Sequence, residues 1–150
     1  MDRQLDRLDR FVLGDGGPGN YSEAFLEHAL RPKNAGSLPD ASASGCEHSP
    51  DGSGLEIWLH IEDAVITKAS FWTDGCATTI ACGSMAAELA TGKTIRQALG
   101  ITPGDIDSAL GGVPGQGCTC ASLAAGALKA AILDHLAFQR EPWKRSYPKR

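Results

Sequence analysis

Cys46, Cys76 and Cys120 lie far apart in a 150-residue chain, and each stands where one residue pattern gives way to another. Cys76 follows Phe71-Trp72-Thr73-Asp74-Gly75 and opens the small-residue run Ala77-Thr78-Thr79-Ile80-Ala81. A thiol at the start of a helix lies near free backbone N–H groups and the positive end of the helix dipole. Both favour the thiolate, the form that binds metal and attacks sulfur. Cys120 repeats this arrangement ahead of the long pattern from Ala121 to Ile132, and Cys46 sits in a Gly/Ser-rich stretch before the first clear strand. Three such thiols read as one site assembled by folding. Cys82, inside an Ala/Gly/Ser-rich helical pattern, reads instead as a small buried hydrophobe. Cys118, two residues before Cys120, is either a further ligand or a spare thiol.

Other motifs are weaker. No C-x-x-C pair occurs, which disfavours zinc ribbons and thioredoxin-like redox motifs. Gly92-Lys93-Thr94 resembles the end of a phosphate loop, but Ala87 stands where the first glycine belongs, and the segment closes a helix pattern. His28 and His135 fall on helical patterns and His60 on a strand pattern, so all three read as structural or exposed. His48 follows Cys46 by two residues and stays a candidate ligand.

Composition frames these candidates. One domain is expected at this length, and a net charge of −4 gives no global signal for nucleic acid. Five cysteines is an odd number, and the N-terminus is charged instead of apolar. No apolar run approaches the roughly 20 residues that span a membrane. The expectation is a cytoplasmic protein with reduced thiols, no membrane partner and no nucleic-acid partner. In that compartment clustered cysteines bind metal or react.

The elements that must position the thiols follow from periodicity. Residues 1–19 read as a flexible arm and linker, although Leu5, Leu8, Phe11 and Val12 have helix-like spacing. A helix follows, with Asn20 and Glu23 at capping-box spacing and Pro32 as its stop. Leu55, Ile57, Leu59 and Ile61 alternate as in a half-buried strand; Val65, Ala69 and Phe71 mark the inner face of the next. A three-residue loop, Glu62-Asp63-Ala64, keeps both apolar faces together. A weaker strand is expected over residues 41–48. Helices then run from about Cys76 to Thr91, from Thr94, from Thr102, and from about Thr119 to Gln139. The last carries a core stripe of Leu123/Ala124, Ala127/Leu128, Ala131/Ile132 and His135/Leu136. The fold class is therefore α+β, a small antiparallel three-stranded sheet with helices packed on one face. The domain spans residues 20–139. Residues 140–150 form a basic tail with five basic side chains and one acid, suited to an acidic protein surface.

These blocks together resemble the IscU/NifU-type iron–sulfur cluster scaffolds. The resemblance runs from Tyr21-Ser22-Glu23 through Arg31-Pro32-Lys33-Asn34-Ala35-Gly36, Phe71-Trp72-Thr73-Asp74-Gly75-Cys76 and Gly92-Lys93-Thr94. It closes with Leu110-Gly111-Gly112-Val113-Pro114, Cys120 and Ala127-Leu128-Lys129-Ala130-Ala131-Ile132. It implies the family's α+β fold and no enzymatic turnover. It also implies a transient [2Fe–2S] cluster on Cys46, Cys76 and Cys120, sulfur supplied by a cysteine desulfurase, and transfer to recipient apo-proteins. Zinc is the alternative occupant of the cluster-free site. Whether two chains form a homodimer around one cluster stays open. Two other roles also stay open: a zinc-bound, SufU-like persulfide acceptor, and a non-catalytic adaptor of the desulfurase.

The chain departs from the family pattern at three places. Cys46-Glu47-His48 stands where Cys-Gly-Asp is usual, and Thr119 stands where His usually precedes the last cysteine. The proline-rich chaperone-binding segment is reduced to Val113-Pro114-Gly115-Gln116-Gly117. The fourth ligand must then be read from the residues themselves. Asp51 is ranked first, if the loop bulges after Cys46. Cys118 is second, if the backbone between it and Cys120 is irregular. His48 is third.

Overall fold

The computed structural model describes residues 22–50, 52–112 and 117–140, without the side chains of Cys118 and Arg140. The expected arm at 1–19, Asn20 and Tyr21, Asp51, the 113–116 segment and the tail beyond Arg140 lie outside the described residues.

Three strands, β1 (Ala43–His48), β2 (Gly54–Glu62) and β3 (Val65–Thr73), pair antiparallel in chain order. Helix α1 (Glu23–Leu30) precedes them, and α2 (Ala77–Ala90), α3 (Ile95–Leu99), α4 (Pro103–Ala109) and α5 (Gly117–Arg140) follow. Helix α5 packs mainly on β1 and α2 on β3, so the helices cover one face of the sheet. This is the expected α+β architecture. Leu55, Ile57, Leu59 and Phe71 point into that layer and are buried. Burying each such side chain contributes about 1.5–3 kcal/mol before the entropy of ordering it is counted.

The β2–β3 hairpin differs from the sequence expectation. Its loop is two residues, Asp63 and Ala64, both at positive φ (52° and 63°), the signature of a type I′ turn. A register shift at His60/Ile61 restores the pairing of Leu59 with Ala69 and Ile57 with Phe71. The bulge also moves Ile66, not Val65, to the fully buried position. The helix expectations fare better. Thr94 with Gln97 and Thr102 with Asp105 form complete capping boxes. The cap of α1, however, is Ser22, whose hydroxyl accepts the N–H of Phe25 at 3.0 Å and donates to the carbonyl of Leu110.

Gly45 sets the distance between α5 and the sheet. A Cβ at this position would run into the backbone of Ala127 and Ala131. The core stripe of α5 lies as the periodicity predicts, from Leu123 and Ala124 to His135. By length and composition alone, Thr119–Gln139 would also pass for a membrane span. Here its apolar stripe is spent against the sheet and the other helices, as in a core helix. Gly92-Lys93-Thr94 has a backbone role: Ile66 N–H donates to the Lys93 carbonyl at 2.8 Å, and Gly92 N–H to the Ile66 carbonyl at 2.7 Å. The segment pairs with the start of β3, so its amides do not cradle a phosphate. His28 is buried between α1 and α2, with Nδ1 at 2.7 Å from Ser84 Oγ and Nε2 at 3.1 Å from Glu88 Oε2. His60 is tied to Thr67 at 2.8 Å.

Candidate metal centre

The turn from β3 into α2 is held by its own side chains. Asp74 Oδ1 accepts the N–H of Gly54 at 2.8 Å, and Thr73 Oγ1 donates to the Gly54 carbonyl at 2.6 Å. Gly75 N–H donates to Thr73 Oγ1 at 3.1 Å. Cys76 follows as the N-cap of α2, with an extended backbone and an exposed side chain. From the other side, the first turns of α5 bring Cys120 to the same place. Thr79 Oγ1 stands 3.7 Å from Cys76 Sγ and 3.4 Å from Cys120 Sγ.

The two thiols hold their protons unequally. The Cys76 thiol is drawn down to about 4, first by a hydrogen bond from Cys120, against the cost of burial, and then by the Thr79 amide, the Thr79 hydroxyl and the Thr78 amide. No amide closes a full capping hydrogen bond on Cys76 Sγ, so these N–H groups act as nearby dipoles. The Cys120 thiol is raised, first by its role as donor to Cys76 and then by burial. The two shifts run in opposite directions because the thiols are coupled, Cys120 donating and Cys76 accepting. Cys82 is fully buried, with its thiol pushed up to about 12, first by burial and then by Asp107 and Cys76. It is inert, as its helical setting predicts.

A cavity of about 210 Å³ opens over the pair. That is small for an organic substrate, whose sites run to about 300–1,000 Å³, and has room for a metal ion or a small inorganic cluster. Oxygen-bearing side chains supply most of the remaining lining, Asp74, Thr79, Thr119, and Ser49 and Ser53 from the β1–β2 connection, with Gly75 and Leu123 beside them. Asp51 lies between those two serines in the chain but outside the described residues. A cavity of about 300 Å³ beside β3 and residues 34–38 has no thiol, imidazole or carboxylate in its lining.

Cys46 is placed elsewhere. It belongs to β1, not to a loop. Because Gly45 faces α5, the period-two alternation turns Cys46 to the opposite face, in a cross-strand row with Glu56 and Trp72. It does not line the cavity, and its thiol is raised, first by burial, then by Glu56 and Glu47, and last by the cavity-lining Asp74. His48 ends the same strand, two residues on, with its ring against Gly54. The expected convergence of Cys46 or His48 with Cys76 and Cys120 is therefore absent from this arrangement. Helix α5 begins at Gly117, so the irregular backbone needed for a joint Cys118–Cys120 site is not observed. Among the described residues, no three His, Cys, Asp or Glu side chains stand close enough to hold one ion. What the fold does assemble is a thiol pair with an oxygen-lined mouth. Sequence reasoning missed Thr79, although its i+3 spacing from Cys76 was the available signal.

The sequence profile of the NifU-like N terminal domain matches residues 20–141. The chain belongs to the IscU/NifU family. It is 42% identical over 116 residues to the Archaeoglobus fulgidus iron-sulfur cluster assembly scaffold protein IscU 1, covering 77% of this chain and 76% of that one. Aquifex aeolicus IscU, named as the same kind of scaffold, is 39% identical over 119 residues, with the same two coverages. The nitrogen fixation protein NifU of Cereibacter sphaeroides is 36% identical over 108 residues, but these span 44% of that longer protein. The fold agrees with that of the N-terminal NifU-like protein of Brucella abortus, at a TM-score of 0.63 and 19% identity over 87% of this chain and 97% of that one.

Proposed function

We propose that this member of the IscU/NifU family is an assembly scaffold that builds a transient [2Fe–2S] cluster and passes it to recipient apo-proteins. The observation that carries the reading is the Cys76–Cys120 pair, one at the cap of α2 and one in the first turn of α5, beneath one small cavity. Membership of a family whose relatives are named as such scaffolds supports it.

The pair suits sulfur capture. The Cys76 thiolate attacks the outer sulfur of a persulfide carried by a cysteine desulfurase. The S–S bond breaks, the desulfurase cysteine leaves as thiolate, and Cys76 carries the persulfide. Two electrons from an external donor then reduce that sulfur to sulfide, and iron is bound as cargo. In this reading Cys76 and Cys120 supply the sulfur ligands, and the 49–53 connection, which carries Asp51, supplies oxygen. Fewer than four thiolates leave the cluster easier to give up than an all-cysteine site would. This reading places the protein in the cytoplasm, where thiols stay reduced.

A second reading is a zinc-held persulfide acceptor, favoured by the mixed sulfur and oxygen lining, a donor set that zinc accepts. Anaerobic reconstitution with iron, cysteine and a desulfurase separates the two. Visible thiolate-to-iron absorption with equal iron and sulfide supports the scaffold. Tight zinc with no sulfide uptake, together with stimulation of the desulfurase, would replace it by the second reading.

A further inference from the structure

Thr79, inside α2, does something that Thr91, the C-cap of the same helix, does not. At the helix end, Thr91 makes the usual threonine back-bond, its hydroxyl donating to the carbonyl four residues back, Ala87, at 2.8 Å. Thr79 is the third residue of α2 and nearly fully buried, at 3% exposure, and its hydroxyl lies between two sulfurs. One is Cys76 Sγ at 3.7 Å, at the cap of its own helix; the other is Cys120 Sγ at 3.4 Å, on α5. The surrounding chain makes room for it. A Cβ on Gly75 would stand 2.8 Å from Thr79 Oγ1 and 2.9 Å from its Cβ, so the turn carries no side chain there. The hydroxyl is thus packed by the β3–α2 turn, its own helix and α5, and it lines the cavity.

We propose that Thr79 is a positioning residue, whose hydroxyl donates to the ligand sulfurs and holds Cys76 and Cys120 at a fixed separation for a bound metal or cluster. This deepens the scaffold reading and rests on it. A hydroxyl has one proton, so it serves one sulfur at a time, and Cys120 is the nearer. Hydrogen bonds to ligand sulfurs hold thiolate charge on the ligand, which raises the reduction potential of a cluster and slows its loss.

Thr79→Val removes the hydroxyl and keeps the shape, Thr79→Ser keeps the hydroxyl, and Thr79→Ala serves if the valine variant unfolds. Two measurements are made on the full chain. Cobalt(II) titration reads the affinity and thiolate charge-transfer bands of the thiol pair without any cluster. Reconstitution then reads the cluster's potential and lifetime. The expected outcome is cobalt affinity weakened about tenfold in Thr79→Val, with a lower cluster potential, a shorter lifetime, and values near wild type in Thr79→Ser. Wild-type-like cobalt binding and potential in Thr79→Val would overturn the inference while leaving the scaffold reading intact. If wild type forms no cluster but Thr79→Val still weakens cobalt, the scaffold reading falls and the role of Thr79 at the thiol pair stands. If wild type takes up neither cobalt nor cluster, both fall.

Discussion

Cys76 and Cys46 are both exposed thiols next to the same sheet, yet they differ in every property that matters for chemistry. Cys76 sits where a strand ends and a helix begins, with a thiol neighbour and two amides that stabilise its anion. Cys46 sits within a strand, beside Glu56 and Glu47, and both carboxylates oppose its ionisation. The lesson is that a cysteine becomes a ligand or nucleophile through the element that ends beside it, not through exposure. One residue links the two regions: Gly45 lets α5 lie against β1, and the same alternation sends Cys46 to the far face.

The comparison breaks most visibly in a cysteine series. Cys76→Ala and Cys120→Ala should each abolish stable cluster assembly, whereas Cys46→Ala should retain most of it, measured by iron and sulfide content after anaerobic reconstitution. Loss of the cluster in Cys46→Ala would mean that β1 rearranges on loading and brings the third thiol over. Gly45→Ala tests the shared hinge. Pushing α5 off β1 should cost about 3 kcal/mol, since a Cβ there meets backbone that cannot step aside. Denaturant unfolding reads the loss, and a stability within error of wild type would remove Gly45 as the origin of the arrangement.

Thiol reactivity sharpens the contrast further. With a folded value of about 4, Cys76 is ionised throughout the neutral range and loses its anion only as pH falls through that value. At pH 6 it should react with iodoacetamide roughly tenfold faster than Cys46, a large gain in thiolate partly offset by lower intrinsic nucleophilicity. The gap should close as pH rises and Cys46 ionises. Mass-mapped alkylation from pH 4 to 9 measures this, and equal rates at pH 6 would contradict the asymmetry. The smallest effect is expected at Cys82. Cys82→Ala should leave cluster occupancy unchanged and cost about 1 kcal/mol for the lost core volume, read by thermal melting alongside the reconstitution.

Periodicity and capping chemistry determined much of this protein. The alternating apolar residues of β2, the stripe of α5, and the boxes at Thr94 and Thr102 are local patterns with local causes, so they are legible without a partner element. The placing of Cys76 at a helix start was legible for the same reason, whereas α5 starts three residues ahead of Cys120. The rest depended on contacts between distant segments. A register shift at His60/Ile61 put Ile66 inside where the alternation pointed to Val65. The face of Cys46 was decided by which side of Gly45 meets α5, and strand parity flips every side chain with a single step of register. The bridge from Thr79 to Cys120 spans 41 residues of sequence and exists only because α2 and α5 pack side by side. The sequence by itself named the thiols; the packing of two helices against one face of a sheet decided which of them meet.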